Sequence, residues 1–182
     1  MTADKRTYAL LAAEPSGDLQ AAALVPYLRE LDPEAEFIGI GGKHLESQGV
    51  ELLCDTSWWG SIGATEVLTR LPRIIVQYYI FRFKYARRNP DVTVMIDSPA
   101  VFMRHGKYTR ARNLKTVYYF PPSAWSDNPK RMREIADRVT GVVATFRRSW
   151  ETYKKADVPA QYFGHPMVDV VKKKPRETVL EE

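Results

Sequence analysis

The 182-residue chain has one cysteine, Cys54, so no internal disulfide framework can hold it together, and its redox chemistry suits a reducing compartment. It has no apolar run of the ~18 residues that a membrane span needs. The segment from Met1 to Thr7 is polar, with no apolar core of an export signal, so none is expected. Histidines are scarce and scattered: His44, His105 and His165 lack the close spacing of a zinc site, and neither metal nor cofactor is expected. There is no recognisable Ser-His-Asp or Cys-His set, no spaced glycine fingerprint for a dinucleotide, and no Lys-Ser/Thr closing a phosphate loop.

What remains is a chain with 45% apolar residues, enough for one sizeable core, and a formal net charge of +5 that leans mildly toward anionic partners. Short β-branched or aromatic runs recur at Thr7–Ala13, Glu36–Ile40, Val92–Asp97, Thr116–Phe120, Val139–Thr145 and Gln161–Phe163. Between most of them lie helical stretches: Asp18–Leu31, Lys43–Gln48, Thr65–Arg88, Met103–Arg112, Pro129–Ala136 and Arg148–Ala156. This alternation predicts βαβ units, hence an α/β fold with a Rossmann-like parallel sheet and helices on both faces. The domain is expected over residues 1–170, with 171–182 a charged tail or the start of a linker. Ligands of such sheets bind beyond the carboxyl ends of the strands, which singles out four loops: Glu14–Asp18, Gly41-Gly42, Asp97–Ala100 and Phe120–Asp127.

Each loop carries candidates with a competing ordinary role. Ser16, Gly17 and Asp18 open a helix, where free amides suit an anion or a hydroxyl-rich ligand; Ser16 or Asp18 could equally be a helix cap. Glu14 can accept from sugar hydroxyls or from its own turn. Gly41 and Gly42 permit a close backbone approach or a positive φ. Asp97 can act as general base on an alcohol, or it or Ser98 can cap a helix that has Pro99 at its first position. In the stiff loop "FPPSAWSD", Ser123 is polar and Trp125 offers an aromatic face, or packs half-buried.

The stretch "EVLTRLPRIIVQYYIFRFKYARR" places Val67, Leu68, Leu71, Ile74 and Ile75 at helical spacing among basic residues. It reads as a membrane-surface helix, an ordinary core helix, or, with interleaved Arg and Tyr, a nucleic-acid face.

Six motifs in order resemble the N-terminal half of lipid-A-disaccharide synthase, a bacterial glycosyltransferase family. They are Ala12–Asp18 for A-G-E-A-S-G-D, Gly41-Gly42, Gly63–Leu68 for G-x-x-E-V-L, Pro90–Pro99 for P-D-V-x-x-x-I-D-x-P, Pro122–Trp125 for P-S-x-W, and Gly164–Asp169 for G-H-P/T-x-x-D. The resemblance implies a GT-B architecture, with this chain as the acceptor half and a UDP-acylglucosamine donor held mostly by a C-terminal domain absent here. It implies inverting transfer of a diacylated glucosamine onto a 2,3-diacylglucosamine 1-phosphate-type acceptor, with Asp97 as the base. Glu14, Ser16, Gly17, Asp18, Gly41, Gly42, Ser123, Trp125 and His165 would be the substrate-binding positions. It also implies a cytoplasmic enzyme peripheral on the inner face of the membrane, with Val67, Leu68, Leu71, Ile74 and Ile75 as its contact patch and no nucleic-acid partner. The alternative is a non-catalytic domain of the same descent that binds glycolipid or membrane surface. The chain departs from the family pattern at Ala100–Phe102, at Asp127 in place of a second tryptophan, and at Arg147–Ser149 in place of P-F-E.

Overall fold

The computed structural model describes residues 5–57, 64–122, 125, 127–166 and 168, with backbone alone for 64–70, 100 and 102. In chain order the elements are β1 (Thr7–Leu11), α1 (Pro15–Leu31), β2 (Glu36–Gly41), α2 (Lys43–Ser47), β3 (Glu51–Asp55), α3 (Ala64–Arg88), β4 (Val92–Ile96), α4 (Pro99–Ala111), β5 (Lys115–Tyr119), α5 (Pro129–Ala136), β6 (Gly141–Ala144), α6 (Arg147–Lys155) and β7 (Ala160–Tyr162). The strands form one sheet in the order β3-β2-β1-β4-β5-β6-β7, every pairing parallel. The α/β reading therefore holds, and the Rossmann-like order is complete. β3 is the strand the sequence pattern does not anticipate. Only three apolar residues stand between two acids there, and the segment is an edge strand paired to β2 alone.

Side chains alternate across a strand, so β1 sends Leu10 to one face and Leu11 to the other. On the Leu10 side, Val25 of α1 and Leu45 of α2 pack with Phe37, Val94 and Ile96. On the Leu11 side, Phe81 and Tyr85 of α3, Tyr108 of α4, Ile135 of α5 and Tyr153 of α6 pack with Ile38, Met95 and Tyr118. Both faces are thus apolar, which accounts for the near-continuous hydrophobicity of β1 and β4. The coverage is uneven. On the Leu10 side no helix among the described residues overlies β5 and β6, and Tyr119 and Val143 stay only half-buried there.

The chain builds outward from β1 to β3, then returns through α3 to β4 on the opposite flank of β1. The loops after β1 and β4 therefore diverge to opposite faces, and a crevice opens between them at the carboxyl ends of the strands.

Candidate functional site

The crevice between β1 and β4 brings two of the four singled-out loops into contact. Ser16 Oγ lies 3.4 Å from Asp97 Oδ2, and the Ala13 amide donates to Ser98 Oγ at 2.8 Å. Gly17 makes this approach possible. A Cβ there would stand 3.2 Å from the Ile96 carbonyl oxygen and 3.7 Å from the Asp97 Cβ, so a side chain would press α1 away from the end of β4.

Asp97 and Ser98 both adopt positive φ, 49° and 43°. For residues with a Cβ this left-handed conformation costs about 1–2 kcal/mol each, so the turn persists only because its surroundings hold it. Three bonds do so. Besides the Ala13–Ser98 bond, the Asp97 amide donates to the Tyr119 carbonyl at 3.2 Å and the Tyr118 hydroxyl donates to the Asp97 carbonyl at 2.9 Å. Burial pushes the Tyr118 phenol far up, so it remains a donor. Ser98 occupies the cap position of α4 without capping it, since its hydroxyl is turned to β1. Ser98 is thus the N-cap by position but not through its side chain, with Pro99 in the first turn as expected, and the carboxylate of Asp97 is left facing the crevice with Ser16. Ser98 and Tyr118 are the residues sequence reasoning missed; the positive φ that makes them necessary leaves no mark in the residue types.

Burial holds the Asp97 carboxyl above its ordinary value, partly offset by hydrogen bonds from Ser16 and the Ser98 amide. The Glu14 carboxyl, at the rim, is also raised, first by partial burial and then by the negative charge of Asp97. Two carboxylates with raised proton affinity thus share the mouth of the crevice, a setting suited to accepting protons and hydrogen bonds from hydroxyl groups. Glu14 also borders a hollow of about 150 Å³ with Lys43, His44 and Ser57.

Asp18 has a different occupation from its neighbours. It is buried, and its carboxylate accepts from the amides of Gly42 (2.8 Å), His44 (3.0 Å) and Leu45 (3.2 Å), capping α2 from a helix away. Gly41 and Gly42 serve that contact. A Cβ on Gly41 would lie 2.7 Å from Asp18 Oδ1, and one on Gly42 3.1 Å from Oδ2. Gly42 has φ −133°, so close approach and not positive φ is the reason for the glycine. The structure therefore ties Asp18, Gly41 and Gly42 to one another, beside the crevice.

Trp125 packs half-buried, edge-on to Tyr118 (6.4 Å) and beneath the Arg131 guanidinium (5.1 Å). Through Tyr118, whose hydroxyl bonds the Asp97 carbonyl, it is linked to the Asp97 turn. His165 lies between the rings of Phe120 (5.1 Å) and Phe146 (5.2 Å), beyond the ends of β5 and β6. Ser123 lies outside the described residues.

Of the five α3 positions expected to form a contact patch, three have described side chains. Ile74 and Ile75 are half-buried and Leu71 is exposed, while the side chains of Val67 and Leu68 lie outside the described residues. A further exposed apolar stripe is formed by Val76, Tyr79, Ile80 and Phe83, at spacing i, i+3, i+4, i+7 and with Phe83 64% exposed. It lies opposite the buried Tyr78, Phe81 and Tyr85, and Arg87 stands over Phe83 at 5.7 Å. No described helix is long and apolar enough to cross a membrane.

A family model described as Lipid-A-disaccharide synthetase matches residues 8–182 of the chain. The chain belongs to that family. Among curated lipid-A-disaccharide synthases, that of Xanthomonas oryzae pv. oryzae is 38% identical over 89% of this chain and 38% of its own length. That of Geobacter metallireducens is 34% identical over 93% of this chain and 44% of its own. The chain thus spans about two-fifths of the length of these relatives. Two solved structures share the fold: a Listeria monocytogenes protein assigned as a UDP-N-acetylglucosamine 2-epimerase (TM-score 0.65, 16% identity, 98% of this chain and 50% of that one) and UGT73P12 of Glycyrrhiza uralensis (TM-score 0.55, 9% identity, 88% and 49%). Against the family pattern, two departures meet in space. Asp127 and Arg148 pair at 3.3 Å on the surface, so a charge pair stands where the pattern has two aromatic residues.

Proposed function

We propose that this chain is the acceptor-side half of an inverting glycosyltransferase of the lipid-A-disaccharide synthase type. The full protein transfers a diacylated glucosamine from its UDP carrier to a 2,3-diacylglucosamine 1-phosphate-type acceptor. The observation that carries the reading is the Asp97 carboxylate, half-buried at the switch point, hydrogen-bonded to Ser16 and raised in proton affinity. Inversion is a single displacement: the acceptor 6-hydroxyl attacks the anomeric carbon, the bond to UDP breaks, and the hydroxyl proton must leave. Asp97 takes that proton. A carboxylate disfavoured in its charged form is a stronger base than an exposed one, and Ser16 keeps it oriented. Glu14, at the rim, accepts hydrogen bonds from other sugar hydroxyls. The UDP-sugar is held by the part of the protein that the relatives carry beyond this span.

The exposed stripe on α3 supports a peripheral place on an anionic membrane surface, cytoplasmic side, where the lipid substrates lie. Val76, Tyr79, Ile80 and Phe83 enter the interface, and Arg73 and Arg87 face the headgroups. The same stripe favours the second reading, a non-catalytic glycolipid- or membrane-binding domain. Incubating the full-length protein with the UDP-sugar and the acceptor separates the two. UDP and a β-1′,6-linked disaccharide are expected for the enzyme, whereas flotation with anionic liposomes without product points to the binding domain. Serines at all four stripe positions are expected to abolish flotation.

A further inference from the structure

On the Leu10 side of the sheet, the flank of α1 and the face of β5 and β6 that no described helix overlies enclose a groove of about 300 Å³. It begins next to the catalytic crevice. Gln20 lies one helical turn beyond Ser16 on the same flank of α1, and Tyr119, whose carbonyl holds the Asp97 amide, forms the facing wall. From Gln20 the groove runs along Leu24 to Tyr27, about 10 Å at the rise of an α-helix, and Phe163 borders it. Its walls are largely apolar, yet it holds one polar group out of place. Gln20 is only 8% exposed, and its Oε1 has no hydrogen-bond partner among the described residues. A buried carbonyl oxygen left unpaired costs about 1–3 kcal/mol, and a ligand that donates to it recovers that cost.

We infer that this groove is an acyl-chain subsite. It takes the N-linked acyl chain of an acylated amino sugar, whose amide N–H donates to Gln20 Oε1 while its methylenes lie against Leu24, Tyr27, Tyr119, Val143 and Phe163. One amide donor followed by an apolar tail matches one acceptor followed by an apolar trough, and the sugar attached to that amide reaches the Ser16–Asp97 crevice one turn away. The inference rests on the acceptor reading proposed above and adds where the acyl chain goes.

The test is calorimetric titration of the full-length protein with N-acetylglucosamine 1-phosphate, N-decanoylglucosamine 1-phosphate and 2-O-decanoylglucose 1-phosphate, which has no N–H at that position. Each methylene fully buried strengthens binding about fourfold, so the decanoyl amide is expected to bind well over tenfold tighter than the acetyl one. Ala23→Phe and Leu24→Trp each fill the trough from the helix side and are expected to erase that preference. Gln20→Met is expected to erase the preference for amide over ester. Circular dichroism and the melting temperature establish that each variant is folded. The subsite is overturned when wild-type protein shows no chain-length preference, or when folded Ala23→Phe and Leu24→Trp both retain it, which would assign the groove to another part of the protein. Formation of UDP by the same preparations is read separately. Its absence in wild type sinks the glycosyltransferase reading, and its presence with an unaltered chain-length preference in the variants sinks the subsite alone.

Discussion

His105 gives the most quantitative prediction of the structure. It sits in α4, fully buried, ringed by Tyr85 (4.5 Å), Phe81 (5.1 Å), Tyr108 (5.2 Å) and Tyr78 (6.4 Å). Neither ring nitrogen has a hydrogen-bond partner among the described residues. Burial, with a smaller contribution from the nearby Arg82 cation, pushes its pKa from 6.5 down to about 3. The imidazole is therefore neutral in the folded protein and takes up a proton on unfolding at acid pH. Because the folded-state value lies below the unfolded one, the contribution is fully present above pH 6.5 and is lost as pH falls toward 3. Linkage between those two values gives a loss of about 2 kcal/mol at pH 5 relative to pH 8. For a domain of this size that corresponds to roughly 4–8 °C in melting temperature. Urea unfolding of wild type and of His105→Phe and His105→Leu, at pH 5, 6, 7 and 8, isolates it. The substitutions carry packing costs of their own, but those are independent of pH, so the comparison is between slopes. The variants are expected to lack about 2 kcal/mol of the wild-type decline. Parallel pH dependence in wild type and both variants would refute a buried neutral imidazole at this position.

Three further outcomes follow from the crevice and its supports. Asp18→Ala removes the acceptor for three amides and is expected to cost about 3 kcal/mol, read by urea unfolding, although Asp18 is drawn from a motif that looks like ligand binding. Gly17→Ala puts a methyl 3.2 Å from the Ile96 carbonyl; stability should change by no more than about 1 kcal/mol, while kcat of the full-length enzyme falls at least about tenfold as Asp97 is displaced. Asp97→Asn should raise the melting temperature at pH 7. The native carboxyl is raised by burial, so its ionisation opposes folding as pH rises, and asparagine both lacks that charge and tolerates positive φ. The stabilisation should shrink as pH falls into the ordinary aspartate range.

The parallel sheet was legible because its central strands are apolar on both sides and its helices fall between them at regular intervals. β3 was not, because an edge strand with one buried residue has no pattern of its own. The meeting of Ser16 with Asp97 was foreseeable from topology, since loops after the strands flanking a switch point converge. The supports of that meeting were hidden. Ser98 looks like a helix cap and Tyr118 like a core aromatic, and only the left-handed turn between them shows that both hold Asp97. The faces of α3 were legible only in part. The helix is apolar on opposite sides, and periodicity does not say which side the sheet takes; packing gave Tyr78, Phe81 and Tyr85 to the core and left Val76, Tyr79, Ile80 and Phe83 outside. Asp18 shows the converse, a residue within a functional motif whose carboxylate is occupied by the fold.

The central claim, that the crevice between β1 and β4 performs proton abstraction from a sugar hydroxyl, rests on Asp97. It is tested most directly by UDP release from the UDP-acylglucosamine by the full-length protein, wild type against Asp97→Asn, under conditions where the variant is shown folded and binds acceptor. Loss of a general base lowers turnover by about 10²–10⁴-fold, and the account predicts a loss in that range with little change in acceptor affinity. Turnover of Asp97→Asn at the wild-type rate would contradict it.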